Sequence, residues 1–156
     1  MRIGVVSDTH GNTRMLRRAV AAAGPVDQWL HAGDYSQDAR HLIGWSQVPV
    51  TTVAGNCDGR VDLPLDEYVD VGGKKIWLTH GHRYSVKQDL VDIIWWGGQY
   101  EVDIAVFGHT HVPYCQRHGS LLVFNPGSLG IPRFGRPTYG LLTIDGDEIY
   151  GQIIEV

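Results

Sequence analysis

Five short apolar runs in this chain end in the same way, on a cluster of Asp, His or Asn that usually sits beside glycine. Ile3–Val6 runs into Asp8 and His10. Gln28–His31 runs into Gly33-Asp34, and Val50–Val53 into Gly55-Asn56. Lys75–Thr79 runs into His80-Gly81-His82, and Asp103–Phe107 into Gly108-His109-Thr110-His111. Each run is short, and all but Gln28–His31 carry β-branched residues, the signature of a buried strand. In open α/β sheets, ligand sites form beyond the carboxyl ends of the strands. A chain built this way is constrained to bring those ends together.

The segments between the runs fix the class. Met15, Leu16, Ala19, Val20 and Ala23 recur at helical spacing after a cap at Asn12 or Thr13, and Gly24-Pro25 stops that helix. Ser36 is the expected cap of a second helix running to about Ile43. The first half therefore reads β-α-β-α-β, the pattern of a mostly parallel sheet with helices on its faces. The second half holds more strand. Glu67–Val71 and Lys75–Thr79 flank Gly72-Gly73, Tyr114–Arg117 and Leu121–Asn125 flank His118-Gly119, and Tyr139–Ile144 and Glu148–Ile154 flank Asp145-Gly146. A third helix is expected from Val86 to about Trp96, ended by Gly97-Gly98. One largely parallel and one mixed sheet fit this order.

At 156 residues the chain fits a single domain, residues 1–156, large enough to bury a core unaided. No repeat or linker divides it. The apolar run at the N-terminus is too short for a signal peptide or a membrane span, and Cys57 and Cys115 alone make no disulfide framework. The expectation is a soluble, cytoplasmic protein that does not engage a membrane. With 13 Lys+Arg against 17 Asp+Glu, the net charge of −4 gives no footprint for a dedicated nucleic-acid binder.

Two carboxylates (Asp8, Asp34), four imidazoles (His10, His80, His109, His111) and the Asn56 amide meet at one sheet edge if the strands are neighbours. In an extended backbone, Asp8 and His10 point to the same side, as do His109 and His111. Such a mixture suits a pair of divalent transition ions, because imidazole binds borderline metals and carboxylate neutralises their charge. Asp34 is the expected bridge. Two ions held roughly 3.5–4 Å apart clamp attacking and leaving oxygens in an in-line displacement. Taken singly, each cluster is an ordinary turn, cap or surface histidine; their conjunction in order carries the reading.

Asp8-x-His10, Gly33-Asp34, Gly55-Asn56-Cys57-Asp58, His80-Gly81-His82 and Gly108-His109-Thr110-His111 together resemble the five blocks of the calcineurin-like metallophosphoesterase superfamily. Their spacing, with Asn125-Pro126-Gly127-Ser128 downstream, is similar to its small bacterial and archaeal phosphodiesterase branch. The resemblance implies a four-layer α/β/β/α sandwich of two mixed sheets flanked by helices. It implies one ion on Asp8, His10, Asp34 and His111 and a second on Asp34, Asn56, His80 and His109. It also implies hydrolysis of a phosphodiester or phosphomonoester by metal-bound hydroxide, without a covalent intermediate. Manganese is the first expectation, with iron, zinc and nickel also suited. The implied partner is a small phosphodiester or nucleotide-like substrate, and a homodimer is the family's habit.

Where many members of the superfamily carry a histidine after Gly-Asn, this chain has Cys57, a weaker proton donor. Asp34, Asn56, Cys57, His80 and His109 are the expected catalytic residues, and activated aryl phosphodiesters the expected substrates. Asp58 can orient a neighbouring loop or accept backbone bonds. Arg133 reads first as surface charge and otherwise as a contact for a substrate anion. His82 reads first as a solvated loop residue and otherwise as one that reaches the site or substrate. Asn125–Ser128 reads as a tight turn supporting the site. His31, His41 and His118 are structural or solvent-facing, and Trp95-Trp96 belongs to the core or an interface. Two alternatives stand beside the phosphodiesterase. One is a nuclease of the same superfamily. The other is a non-catalytic scaffold of the same fold, resembling a eukaryotic sorting-complex subunit that has lost metal-site residues.

Overall fold

The β-branched run after Arg2 forms strand β1 (Arg2–Val6), buried from Ile3 onward. The computed structural model describes residues 1–156, and β1 lies at the centre of its first sheet. Helix α1 (Thr13–Ala23) follows, with the Asn12 side chain accepting the Met15 N–H at its start. Strand β2 (Gln28–His31), helix α2 (Ala39–Ser46) and strand β3 (Val50–Thr52) complete the first half. The three strands are parallel. The C-terminal hairpin of β9 (Thr138–Asp145) and β10 (Glu148–Glu155) then adds to the free side of β1, giving the order β10-β9-β1-β2-β3. This sheet is therefore mixed rather than largely parallel, because the last two strands return antiparallel to it.

The second sheet has the order β4-β5-β6-β8-β7. Its parallel centre is β5 (Lys74–Thr79), β6 (Ile104–Val106) and β8 (Leu121–Asn125). Antiparallel β4 (Asp66–Val71) and β7 (Tyr114–His118) form its edges through short hairpins. The main core lies between the sheets, where Ile3, Val5 and Leu142 of one meet Ile76, Val106 and Phe124 of the other. Helices α1 and α2 cover the outside of the first sheet through Leu16, Ala19 and Leu42 against Trp29 and Leu141. Helix α3 (Val91–Gln99) covers the second through Ile93 against Trp77, Ala105 and Val123. The result is the four-layer α/β/β/α sandwich.

Two helix boundaries differ from the sequence expectation. Ser36 does not cap α2; it opens a 3-10 turn, Ser36–Asp38, and α2 starts three residues later. Val86 is not helical, because its side chain is drawn into the core beside Gly81 and Phe107. Helix α3 begins instead where Asp89 accepts the Val91 N–H at 3.0 Å. It also runs through Gly97 rather than stopping there. A side chain at Gly97 would strike Leu121, so glycine here lets the helix lie close on the sheet.

Candidate metal centre

The carboxyl ends of β1, β2, β3, β5 and β6 open onto one rim where the two sheets meet, and all seven predicted donors converge there. Asp8, His10, Asp34 and His111 place one ligand atom each within 4.8 Å of one another, and so do Asp34, His80 and His109. Asn56 Oδ1 lies 3.1 Å from His80 Nε2, beside the second group. Asp34 is common to both. Its Oδ2 faces His10 Nε2 at 3.8 Å, and its Oδ1 faces His80 Nε2 at 3.4 Å.

The backbone reaches this arrangement by a route the extended-strand expectation missed. Asp8, His10, Asp34, His109 and His111 all have positive φ, between 45° and 65°. Left-handed backbone is uncommon for non-glycine residues and costs of order 1–3 kcal/mol each, so the surrounding structure must hold it. The side chains converge because the chain turns sharply after each strand, and not because the strands continue.

The hydrogen bonds that hold these turns are visible. Asp58 accepts the N–H groups of Asp34 (3.1 Å), Ser36 (2.6 Å) and Gly55 (2.6 Å), tying the ends of β2 and β3 together. Asp8 Oδ2 accepts the Ser7 hydroxyl at 2.5 Å and the His109 N–H at 3.0 Å, tying β1 to β6. In the Asn125–Ser128 turn, Asn125 Nδ2 donates to Gly108 O at 2.9 Å and Ser128 Oγ to Asp8 O at 2.8 Å. Glycine at 108 is required by closeness: a Cβ there would meet Ser7 Oγ and, at 2.8 Å, Asp8 Oδ2. Buried His31 accepts the Gly33 N–H on Nδ1. Its Nε2 lies 3.3 Å from Thr9 Oγ1, which in turn donates to Asp38 at 2.7 Å. Asp38 and Ser7 escaped notice in the sequence because each is a common polar residue with no motif around it, whereas the Asn125–Ser128 turn supports the site as expected. Of the two readings of His82, the one that reaches the site fits: its ring is 5.4 Å from His80 and 6.1 Å from His109 between centroids.

Charge is concentrated here. Burial disfavours the Asp34 carboxylate, but the His80 ring and the Cys57 N–H outweigh it and hold Asp34 well below the usual carboxylate range. Burial likewise favours a neutral His80, yet Asp34 and Asp8 raise it above an ordinary imidazole. Asp8 raises His111 against burial. His109 is lowered to about 4 by burial and then by His80 and Lys87. Partial burial and the Asp34 carboxylate push the Cys57 thiol up to about 11, so it is protonated at neutral pH.

Two observations test whether these residues fit metal ions. Asp8 is fully buried, and its Oδ1 has no hydrogen-bond partner by geometry; the nearest group is His111 Nε2, 3.1 Å away. A carboxylate oxygen is not left bare in an interior without a counter-charge. The second observation concerns tautomers. His80 Nδ1 lies 2.6 Å from Ala32 O, and His111 Nδ1 lies 2.6 Å from Ile131 O. A proton held on Nδ1 by a carbonyl leaves the Nε2 lone pair free, as a metal-binding histidine requires. The donor set fits divalent ions on both counts.

Known proteins agree with this geometry. A model of the calcineurin-like phosphoesterase superfamily domain matches residues 1–147. The phosphodiesterase YfcE of Escherichia coli K12 is 35% identical over 170 aligned positions, covering 93% of this chain and 89% of that protein. A phosphoesterase-like protein of Streptococcus pneumoniae TIGR4, known from a crystal structure, superposes with a TM-score of 0.84 at 28% identity, over 99% of this chain and 88% of that one. Vps29 of Entamoeba histolytica, solved with zinc, shares the fold alone: TM-score 0.79 and 23% identity, over 99% of this chain and 98% of that one. With its matched length, its identity to relatives and its converging donor residues, the chain belongs to the calcineurin-like phosphoesterase superfamily.

Proposed function

We propose that this protein hydrolyses small phosphodiesters at a dinuclear metal centre. The observation that carries this reading is the position of Asp34, whose two carboxylate oxygens face two different groups of donors. Asp8, His10, Asp34 and His111 would hold one cation, and Asp34, Asn56, His80 and His109 the other. Two divalent cations bound there would supply Lewis acidity and a water acidified toward neutral pH. Manganese is the first choice of ion, and iron, zinc or nickel suit the same imidazole and carboxylate donors.

The chain's own residues do the rest. Asp58 and the Ala32 and Ile131 carbonyls keep the donors oriented. In the reaction a water oxygen adds to phosphorus, one ester P–O bond breaks, and a phosphomonoester and an alcohol leave. Cys57, protonated and exposed at the rim beside Asn56, is placed to give the departing oxygen a weak hydrogen bond. A nuclease would need a basic track along the backbone. Beside His109 and His111 the lining cations are Lys87 and Arg133, which suit a small substrate better. A scaffold of this fold does not require all seven donors to converge.

The test is a metal titration joined to a hydrolysis assay with bis(4-nitrophenyl) phosphate. We expect about two ions per chain, and Asp34→Asn to lose one ion and at least two to three orders of magnitude in turnover with the fold intact. A wild-type protein that binds a single ion, or that hydrolyses no diester with any divalent ion, overturns the reading.

A further inference from the structure

A cleft of about 480 Å³ runs away from the donor rim along the outside of the second sheet. Its walls are mainly apolar, including Leu90, Phe107, Val112, Tyr114 and Phe134. A smaller recess of about 170 Å³ lies against His109 and His111. The two adjoin, with Lys87, Thr110 and Arg133 bordering both, and Asp89 lines the larger one beside Lys87. Neither Lys87 nor Arg133 has a carboxylate partner anywhere in the structure; the basic side chains that do are Lys74 and Arg83. The Arg133 segment is pinned to the centre by its backbone N–H, which donates to His111 O at 3.1 Å. Phe134, next in sequence, is 70% exposed and borders the cleft. An unpaired cationic mouth beside the donors, opening into an apolar trough edged by an exposed aromatic ring, matches an ester with an anionic head and a flat organic arm.

We propose that this cleft is the specificity subsite for one arm of the phosphodiester, that the arm it selects is a flat aromatic group, and that Lys87 and Arg133 hold the phosphoryl oxygens at its mouth. The proposal rests on the phosphodiesterase reading for the identity of the head group. Phe134 covers one face of the arm, and Leu90, Val112 and Tyr114 form the floor. The two cations act on the head group whatever the arm is, so the aromatic selection belongs to the apolar walls alone.

The experiment separates these roles with two phosphonates that differ only in the arm. Phenylphosphonate and methylphosphonate are titrated by calorimetry into the manganese-loaded protein and its variants, and bis(4-nitrophenyl) phosphate turnover is followed in parallel. Phenylphosphonate is expected to bind about tenfold tighter than methylphosphonate, the order of affinity that burying a ring brings. Phe134→Ala should cut that ratio to about threefold or less and raise KM for the diester with little change in kcat. Lys87→Ala and Arg133→Ala should weaken both phosphonates by similar factors, with partial recovery in Lys87→Arg and Arg133→Lys. Equal affinity of the wild type for the two phosphonates, or a ratio unmoved by Phe134→Ala, overturns the subsite. A phenyl preference that persists in a protein hydrolysing no diester overturns the phosphodiesterase reading and leaves the aromatic subsite standing. Turnover without a phenyl preference does the reverse.

Discussion

Asp58 accepts the backbone N–H of Asp34 at 3.1 Å, so one carboxylate that faces no donor group sets the position of the carboxylate that faces both. The same Asp58 side chain accepts from Ser36 and Gly55. Three N–H groups converging on one carboxylate form charge-assisted bonds, each of which contributes more than a neutral one. Asp58→Ala should destabilise the protein by roughly 3 kcal/mol and weaken metal binding by about 10–100-fold, the range found when supports of a metal ligand are removed. Asp58→Asn keeps an acceptor oxygen and should fall between. Denaturant unfolding and metal titration of the two variants check this. Wild-type metal affinity in Asp58→Ala would reduce Asp58 to an ordinary loop residue.

Cys57 makes a prediction through leaving-group dependence. With its thiol pushed up to about 11, it keeps its proton at neutral pH and is only a weak hydrogen-bond donor. Such help matters little when the departing group is a nitrophenolate, which needs no proton, and more when it is an alkoxide. Cys57→Ala should therefore lower turnover of aryl diesters by no more than about threefold, and of diesters with alkyl leaving groups by about tenfold, below the usual span of a full general acid. Rates measured across a series of leaving groups check this. A uniform loss across the series would assign Cys57 to packing.

The sheet pattern and the seven converging side chains were legible because each rests on a local rule: a short apolar run, then an Asp, His or Asn in a glycine-containing cluster. The backbone angles that aim those donors were not. Asp8 and His10 look extended on paper and are left-handed in the structure, because the contacts enforcing the turn come from Gly33, Gly108 and Ser128, distant in sequence. The same holds for Asp38, whose role depends on a partner 29 residues away. The boundaries of α3 were misread for a related reason. Val86 fits the helical spacing, but the sheet claims its side chain first, and Gly97 marks close packing on Leu121 rather than a stop. His82 lies beside His80 and His109 because a 3-10 turn, His82–Tyr84, follows β5 directly.

His31 gives the pH dependence of stability a definite sign. Its ring is buried and neutral, with its pKa lowered to about 4 by burial despite Asp38 nearby. In the unfolded chain the same group titrates near 6.5. Above pH 6.5 it is neutral in both states and contributes no slope. Between 6.5 and about 4 only the unfolded chain takes up the proton, so stability falls as pH falls, by about 2 kcal/mol at pH 5. His31→Gln removes that titration, although it lowers stability at all pH values through the lost bonds to Gly33 and Thr9. Unfolding in chelator at pH 7 and pH 5 should show a loss smaller by about 2 kcal/mol in the variant. The same loss in both proteins would mean that His31 is protonated in the fold.

Metal removal should show first in stability, because the centre holds a buried carboxylate oxygen that no hydrogen bond satisfies. Asp8 Oδ1 is buried without a hydrogen-bond partner, and His80 Nε2 lies 3.9 Å from it and 3.4 Å from Asp34 Oδ1. A cation that binds the folded chain and not the unfolded one adds about 2.7 kcal/mol at a hundred times its Kd. For a chain of this length that corresponds to roughly 5–10 °C in Tm. Manganese added after chelation should restore that shift. Asp8→Asn provides the control. Its amide oxygen can still accept from Ser7 and the His109 N–H, and its NH₂ can replace the bare oxygen facing His111 Nε2. The metal-free variant should therefore be at least as stable as the metal-free wild type, while its gain from manganese falls below half. Scanning calorimetry of both proteins with and without the ion decides the matter, and an equal manganese gain in the two would remove Asp8 from the set of ligands.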